Sequence, residues 1–466
     1  MIAASMPALA ALMVFAVCLL GASPSAYWLD SAELVAAAHE LGIPHPPGHP
    51  LYALLTKAVT LLPLGSIPFR ASLASALALA LAAAVLTSLC ARVARGVLRW
   101  ESVARWPLAA GVAVSACLSY AAAFQGVRAE VYALNLFVLL VAAWLLVRFG
   151  EDLAHPLEAG LPVNPPIAAG AQRELRFVYV AALVVGLGLA NHHLLVLLGT
   201  FPLAIYALWR APNGLRTRVV GAGLAAVLLG LSAYAYLPLR AERAPISSWG
   251  DPVRADRFAW VVSARAFQKS LRPKTDTTLA DNALTLAGIT MEALTPIGAS
   301  LGLVGLLLLA RRRRALGVAL LGATLLCMAS QVTMPADPHN PDVHGYLLFA
   351  IALLAAGAYW FFAAIAASPR ALSSAGAGPS SSRAAAHVGL VFAAALPVLQ
   401  LSASWNRFSL GAFHAAEEVT RPMLRDLPTG AIALTSYFQS IFLAWHARVV
   451  EGERPDVPIL HRHFLS

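Results

Sequence analysis

The chain has 466 residues, of which 59% are hydrophobic and only 12% are charged. Soluble domains carry about 45–50% apolar and about 25% charged residues, so the composition excludes a soluble globular protein and indicates a membrane protein. The net charge of +10 does not indicate a nucleic-acid partner, because most basic residues are arginines in loops beside apolar segments.

About eleven apolar stretches are predicted to be transmembrane helices, since each approaches the ~20 residues that cross a bilayer. In chain order they are 6–21, 73–93, 107–124, 131–147, 177–189, 194–208, 219–237, 293–310, 315–332, 345–367 and 388–403. The first is expected to remain a membrane helix, because it lacks the preceding Lys or Arg of a cleaved signal peptide. The lipid bilayer is therefore the first partner that the sequence predicts.

The stretches at 177–189 and 194–208 are predicted to form a hairpin with its tip at Asn191. One helix from Phe177 to Trp209 would be ~50 Å long at ~1.5 Å per residue, well beyond a ~30 Å hydrocarbon core. Arginines at both outer ends of the pair also place both ends on the cytoplasmic side.

Arginines are concentrated in alternate loops, which predicts the orientation of the chain. They lie at 92–105, 311–314 and 370–383, all on one side if the amino terminus is inside, and short basic loops are usually cytoplasmic. An odd number of spans then leaves the carboxyl terminus outside. We expect an integral protein of the bacterial cytoplasmic (inner) membrane.

Residues 1–403 are predicted to form an all-α polytopic membrane domain. It includes a first outer loop at 23–72, a large outer loop at 240–292 and a cytoplasmic linker at 373–382, whose Ser, Gly and Ala composition favours flexibility. Most histidines and acidic residues lie at the outer ends of the predicted spans, whereas the cytoplasmic loops offer mainly arginine. The chemistry is therefore expected at the extracytoplasmic face.

Residues 404–466 change to a mixed composition and predict a small extracytoplasmic α/β segment. Its predicted elements are a helix at 413–427, a strand at 431–435, a helix at 438–450 and a strand at 457–460. Two parallel strands are too few for independent stability. The segment must therefore pack on the membrane domain, or the chain is incomplete.

The first outer loop is the richest in polar residues. Asp30 and Glu33 stand three positions apart and would share one face of a helix, which suits carboxylates that do acid–base chemistry. The same spacing ahead of an apolar run also fits a capping box, in which both residues are structural. His45-Pro-Pro-Gly-His49-Pro cannot be helical, and predicts a rigid turn.

Arg128 and Glu130 stand between two predicted spans with almost no loop to hold them. They either pair with each other, or Arg128 offers a bidentate fork to a lipid phosphate. Other polar residues on the same predicted side are Asn191, His192, His193, Arg240, Asp251, Asp337, His339, Asp342 and His344. No metal site is predicted, because adjacent histidines on a turn do not aim at one ion and the four cysteines lie in apolar stretches.

Several motifs occur in a recognisable order. They are Asp30-Ser-Ala-Glu33, Gly42-Ile-Pro-His-Pro-Pro-Gly-His-Pro-Leu-Tyr52, Glu130-Val-Tyr-Ala-Leu134, Gly186-Leu-Gly-Leu-Ala-Asn-His192, Leu237-Pro-Leu-Arg240 and Trp249-Gly-Asp-Pro252. Together they resemble the membrane family that includes the eukaryotic O-mannosyltransferase of plexins and receptor kinases. The chain departs from the family pattern at His49, at Ser72 and at Ser436-Tyr437.

This resemblance implies an inverting GT-C hexosyltransferase that moves a mannose-like sugar from a polyprenyl-phosphate donor to an acceptor hydroxyl. By analogy Asp30, with Glu33 second, takes the proton of the acceptor, while Arg128, Arg240 or a nearby histidine neutralises the departing phosphate. The residues expected to bind donor and substrate are His45, His49, Arg128, Glu130, Asn191, His192, Arg240 and Asp251. The sequence does not indicate a divalent metal, although this chemistry permits one.

The altered carboxyl-terminal segment leaves a protein, lipid or glycan acceptor open. The alternative from a different class is a polytopic transporter or flippase of a lipid-linked or small polar substrate, in which buried carboxylates and histidines relay protons. That class predicts ionisable residues at the bilayer midplane and spans interrupted in matched halves. The sequence shows neither pattern clearly.

Overall fold

The computed structural model describes residues 2–158, 166–268, 278–367 and 379–462. Within these ranges the longer helices are α1 (Ile2–Gly21), α2 (Ser31–Glu40), α3 (Pro50–Thr60), α4 (Ile67–Gly96), α5 (Arg105–Cys117), α6 (Tyr120–Gly126), α7 (Val131–Glu158), α8 (Pro166–Arg210), α9 (Arg216–Leu231), α10 (Tyr236–Ala241), α11 (Ala255–Val262), α12 (Leu279–Arg312), α13 (Arg314–Val332), α14 (Pro341–Tyr346), α15 (Leu348–Ala366), α16 (Pro379–Phe408), α17 (Ala415–Arg425) and α18 (Phe438–Val449). Short 3-10 turns connect α8 to α9, α9 to α10, and follow α11. Most of the predicted linker at 373–382 lies outside the described residues, as does part of the predicted outer loop at 240–292.

Seven of the described helices are long and apolar enough to cross a membrane, or eight if α5 and α6, which meet at 75°, count as one broken span. The shorter apolar part of α1 adds a further candidate at Ser5–Gly21. Each predicted stretch overlaps a helix, and α8 holds two of them. The predicted polytopic all-α architecture is confirmed, although the count by length is below the predicted eleven.

A break at His192 divides α8 into two halves. The backbone of His192 is non-helical, with φ −146° and ψ 88°. Near the start of α8, the ring of Phe177 lies 4.2 Å from the guanidinium of Arg148. Near its end, Arg210 Nε donates to the Gly150 carbonyl at 3.1 Å. Both ends of α8 therefore pack against the same end of α7.

The midpoint of α8 lies at the opposite end of α7. The Asn191 side-chain amide donates to the carbonyl of Val131, the first residue of α7, at 3.2 Å. The halves also face each other closely, because a Cβ placed at Gly188 would meet the Val196 side chain at 3.2 Å. The chain thus runs along α7, reverses at His192 and returns. This is the hairpin that the sequence predicts.

Small residues allow the closest approach of two helices. Gly305 of α12 and Gly357 of α15 pack backbone to backbone, and a Cβ on either would overlap a main-chain carbonyl of the other helix. Lipid tails provide no hydrophobic driving force between helices, so membrane helices associate through such tight van der Waals contact. This packing, together with that of α8 on α7, makes a dense bundle on which the polar loops rest.

The carboxyl-terminal part contains two short strands, β1 (Ala433–Thr435) and β2 (Ile459–His461), which pair in parallel. Each lies within two residues of its predicted position. Helix α18 packs against α2, in an apolar cluster that contains Trp249, Phe442 and Trp445. The segment therefore docks on the helix that carries the first polar loop, which is how a two-stranded sheet gains the burial it needs.

Candidate active site

Asp30 lies immediately before α2 and does not act as a helix cap. Its backbone is already near helical, with φ −76° and ψ −11°, and its side chain makes no capping hydrogen bond. The capping box that Asp30 and Glu33 suggest by their spacing is therefore not formed. The carboxylate of Asp30 is left available, and its side chain keeps 31% of its surface exposed.

Glu33 is fully buried and holds the proline-rich turn. Its carboxylate accepts the backbone N–H of His45 at 2.9 Å and the Nδ1 of the same ring at 2.6 Å. Gly48 within this turn has φ +91°, a conformation that costs glycine little. The Glu33 side chain thus joins α2 to the main chain of the turn, and it fixes the orientation of the His45 ring.

The other nitrogen of His45 faces two further polar groups. Its Nε2 lies 3.7 Å from Oδ2 of Asp30 and 3.2 Å from Nε2 of His49. Burial lowers the pKa of His45, but the carboxylates of Asp30 and Glu33 outweigh burial and raise the pKa to about 10. The ring therefore carries a positive charge at neutral pH, beside two carboxyl groups.

Burial has the opposite effect on the carboxyl groups. It raises the pKa of both Asp30 and Glu33, and the charge of His45 partly offsets this increase. A raised pKa makes a carboxylate a stronger base than an exposed one. The cluster thus combines a partly exposed carboxyl group with a cation next to it.

His49 connects this turn to the tip of the α8 hairpin. Its Nδ1 donates to the main-chain carbonyl of Asn191 at 2.5 Å, and its backbone adopts φ 40°, which is uncommon for a non-glycine residue. The ring centroid of His192 lies 6.3 Å from that of His49. The structure therefore brings together four of the predicted site residues, His45, His49, Asn191 and His192, although they come from two distant parts of the chain.

Arg128 is the centre of a second, buried network. It is completely buried, and it pairs with Glu130 at 3.1 Å and with Asp342 at 2.5 Å. It also donates to Gln125 at 3.0 Å and to the hydroxyl of Ser31 at 3.3 Å. The sequence predicts either a pair with Glu130 or a phosphate ligand. The structure shows the pair, extended by Asp342, and two carboxylates already balance the charge of the guanidinium.

Glu130 depends on this pairing. Burial raises its pKa, and the charge of Arg128 opposes that increase. Ser31 is the first residue of α2 and directly follows Asp30. The Arg128 network therefore holds the start of α2 against α6, α7 and α14.

Two predicted donor-binding residues, Arg240 and Asp251, make their contacts outside the cluster around His45. Arg240 Nε donates to the carbonyl of Leu41 at 2.7 Å, and its NH2 donates to the carbonyl of Glu40 at 2.9 Å. These are carbonyls at the end of α2, which have no partner within the helix, so Arg240 caps α2. Asp251 is exposed, with φ 44°, and has no hydrogen bond or ion pair with the cluster among the described residues.

Sequence reasoning assigned no role to several groups that the fold adds. Asp342, Gln125 and Ser31 complete the environment of Arg128. The rings of Tyr132 and Tyr346 pack edge to face, 5.2 Å apart, and each lies 5.9 Å from His192. The sequence does show that these polar residues lie at the ends of apolar stretches. Only the tertiary structure shows which of them are in contact.

Three side chains of this cluster are of the types that bind metal ions. Asp30, Glu33 and His45 offer ligand atoms that all lie within 4.8 Å of one another. Carboxylate oxygen and imidazole nitrogen are the donors that zinc and related divalent ions use in proteins. The sequence predicts no metal site, because the adjacent His192 and His193 do not aim at one ion, and that prediction remains untested.

Comparison with known proteins tests the resemblance that the motifs suggest. Residues 30–215 match the family model described as the Protein O-mannosyl-transferase TMEM260 N-terminal domain. The mouse (Mus musculus) Protein O-mannosyl-transferase TMEM260 is 34% identical over 227 residues, which are 48% of this chain and 28% of the mouse protein. The match therefore covers little more than a quarter of that relative. Residues 30–215 contain Asp30, Glu33, His45, His49 and Arg128. The match confirms the resemblance predicted from the motifs.

The solved structures extend the likeness to almost the whole chain. The crystal structure of ArnT from Cupriavidus metallidurans bound to undecaprenyl phosphate aligns with 98% of this chain and 85% of its own, with a TM-score of 0.58 and 13% identity. The apo structure of the same protein gives 0.60 and 12% over the same shares. At such identities the likeness concerns the fold alone, and it confirms the predicted GT-C architecture.

Proposed function

We propose that this chain is a membrane glycosyltransferase, because it has the GT-C fold and its amino-terminal half is related to the protein O-mannosyltransferases. It moves a mannose-like sugar from a polyprenyl-phosphate donor to an acceptor hydroxyl at the extracytoplasmic face. The name of the mouse relative supports mannose and a protein acceptor, and the lipid bound to ArnT supports the donor class. The observation that carries the proposal is the partly exposed Asp30 carboxylate beside a partly buried, charged His45.

Asp30 is the proposed base. It accepts the proton of the acceptor hydroxyl as the oxygen attacks C1 of the sugar, the bond from C1 to the phosphate oxygen breaks, and the electron pair leaves with the lipid phosphate. Attack opposite the leaving group inverts the configuration at C1. The side chain suits this task because it caps no helix and burial raises its pKa, which strengthens it as a base.

His45 is the proposed cation that meets the departing phosphate. The sequence offers Arg128, Arg240 or a histidine for this role. Arg128 is buried and balanced by Glu130 and Asp342, and Arg240 caps α2. His45 keeps 14% of its side chain exposed and adjoins the base, so its charge acts where negative charge develops. Glu33 and His49 position this ring.

The proposed orientation places the cluster outside the cell membrane, with the amino terminus inside. The short connections at the opposite end of the bundle are rich in arginine, including Arg210 and Arg312, and short basic loops usually remain in the cytoplasm. A bacterial inner membrane is consistent with an ArnT-like fold.

Thiol labelling tests the orientation. Single cysteines replacing Asp251 or His339, exposed at the site end, are expected to react with an impermeant reagent added to intact cells. Cysteines replacing Gly214 or Arg312, exposed at the other end, are expected to react only after lysis. The four native cysteines are buried and need not be removed. The reverse pattern would place the cluster in the cytoplasm and contradict the proposal.

Transfer by purified protein tests the activity. In nanodiscs, the protein is expected to transfer mannose from polyprenyl-phosphate mannose to a Ser- and Thr-containing peptide pool, followed by mass spectrometry. Nucleotide-linked mannose, which lacks the lipid, serves as the matched negative donor. Movement of labelled lipid across proteoliposomes without any sugar transfer would support the transporter or flippase alternative instead.

A further inference from the structure

We propose that a group of neutral side chains beside the reaction cluster holds the sugar of the donor and selects which sugar is transferred. This sugar subsite consists of Tyr132, Asn191, His192 and Tyr346. The inference rests on the proposed transfer reaction and deepens it, because it assigns recognition of the sugar to named residues. The sequence predicts that Asn191 and His192 bind donor or substrate, whereas it gives no role to the two tyrosines.

Three aromatic rings of the sugar subsite converge from three elements. Tyr132 is the second residue of α7, His192 lies at the break of α8, and Tyr346 is the last residue of α14. The ring centroids of the two tyrosines are 5.2 Å apart, and each lies 5.9 Å from that of His192. Gly345 permits this approach, because a Cβ on it would lie 2.4 Å from the Tyr132 ring. The three rings therefore meet one another pairwise.

Asn191 adds a buried acceptor to these rings. Its side-chain amide donates to the carbonyl of Val131 at 3.2 Å, next to Tyr132 in the chain, and its main-chain carbonyl accepts from Nδ1 of His49. Asn191 is completely buried, yet its Oδ1 receives no hydrogen bond from any residue that the structure describes. Buried polar atoms are usually satisfied. Ring packing alone does not account for this oxygen, and a bound molecule is expected to supply the donor.

The other polar atoms of the sugar subsite also have unused hydrogen-bonding capacity. The hydroxyls of Tyr132 and Tyr346 interact with each other, and such a pair uses only one of its two hydrogens. The second hydrogen is left to donate. Nδ1 of His192 forms no hydrogen bond with another described residue. The subsite therefore offers both a donor and an acceptor on tyrosine and asparagine side chains, which carry no charge at neutral pH.

This combination fits a sugar better than a phosphate. Phosphate groups are bound by cationic side chains, and the cations in this region are His45 and Arg128, outside the sugar subsite. A sugar hydroxyl both donates and accepts hydrogen bonds, so it can satisfy the free hydrogen of the tyrosine pair and Oδ1 of Asn191. Ligand sites typically combine aromatic walls with a few such polar groups, which fix the orientation of the ligand.

The sugar subsite is continuous with the reaction cluster. The ring centroids of His45 and His49 are 4.8 Å apart, and the centroid of His192 lies 6.3 Å from that of His49. In the proposed reaction the phosphate meets His45 and C1 of the sugar lies beside Asp30. The remaining hydroxyls of the same sugar then extend toward His192 and the tyrosine pair.

Tyr346 connects the sugar subsite with the proposed base. Burial raises the pKa of its hydroxyl, and the nearby carboxyl groups of Asp342 and Asp30 raise it further. The hydroxyl therefore stays protonated at neutral pH and can donate. Because the carboxyl group of Asp30 influences Tyr346 directly, the tyrosine lies close to the place where C1 is attacked.

Binding of the donor with and without its sugar tests the proposal. Wild-type protein in detergent is expected to bind polyprenyl-phosphate mannose more tightly than polyprenyl phosphate, as measured by native mass spectrometry. Tyr132→Phe combined with Tyr346→Phe keeps both rings and removes both hydroxyls. This double variant is expected to reduce the preference roughly 2–10-fold, the usual effect of losing one hydrogen bond. Tyr206→Phe removes a buried hydroxyl at the cytoplasmic end of α8 and is the matched control, expected to keep the preference.

Transfer kinetics separate recognition of the sugar from a general loss of function. The double variant is expected to raise KM for polyprenyl-phosphate mannose and to discriminate less between mannose and glucose donors, with an unchanged KM for the peptide acceptor. An equal rise in both KM values would indicate a structural role and overturn the proposal. Equal binding of the two lipids by wild-type protein, or a double variant with the wild-type preference, would also overturn it.

The same data distinguish this proposal from the proposed function. Comparison of the two lipids on wild-type protein does not depend on any variant folding or on activity. Wild-type protein that prefers the mannosylated lipid but transfers no sugar would contradict the proposed function and support the sugar subsite. Normal transfer by a double variant that keeps the full preference for mannose would support the proposed function and contradict the sugar subsite.

Discussion

An Asp30→Asn protein is expected to insert, purify and melt like the wild type, and to transfer sugar roughly 10²–10⁴-fold more slowly, the usual effect of losing a general base. Asparagine has the shape of aspartate but does not accept the proton of a hydroxyl. The side chain of Asp30 makes no capping hydrogen bond, so the substitution removes no helix cap. The measurement is the rate of transfer from polyprenyl-phosphate mannose, beside a melting curve.

A matched control makes this result specific. Asp251→Asn removes an exposed carboxylate of a neighbouring loop that has no contact with the cluster among the described residues, and it is expected to keep full activity. Near-normal turnover by Asp30→Asn would contradict the proposed mechanism and direct the search for the base to Glu33 or Glu130.

Replacement of Arg128 by methionine is expected to destabilise the fold by about 3–5 kcal/mol, the usual cost of removing one partner from a buried ion pair. The substitution leaves Glu130 and Asp342 buried without their counter-charge. It also removes hydrogen bonds to Gln125 and to Ser31, which begins α2. The measurement is the thermal melting of the detergent-purified protein.

Charge and geometry can be separated at this position. Arg128→Lys keeps the charge but lacks the planar fork, so a smaller loss of stability is expected. Arg312→Ala, at the exposed opposite end of the bundle, is expected to change stability little. Asp342→Asn combined with Arg128→Met is expected to recover part of the lost stability, because one unpaired charge is removed. If Arg128→Met melted like the wild type and only raised the donor KM, the predicted phosphate role would be restored.

Local features of the sequence determined the class of protein and most of its helices. Composition alone excludes a soluble domain, because a bilayer requires long apolar helices, and the predicted stretches all overlap helices in the structure. The hairpin around Asn191 was predictable from length and from arginines at both ends. The polar cluster of the first outer loop was also predictable, since Asp30, Glu33, His45 and His49 lie within one short segment.

Only the tertiary structure decided which polar groups meet. From their spacing alone, Asp30 and Glu33 could form a capping box or a reactive pair. In the structure both carboxylates instead lie beside the His45 ring. Arg128 meets Asp342 from 214 positions away, and Arg240 reaches the end of α2 from about as far. Such partners are set by how α2 packs on the bundle, because a buried charge or an unpaired carbonyl is satisfied by whichever group the fold brings near it. Periodicity and spacing describe one segment at a time and contain no record of those distant contacts.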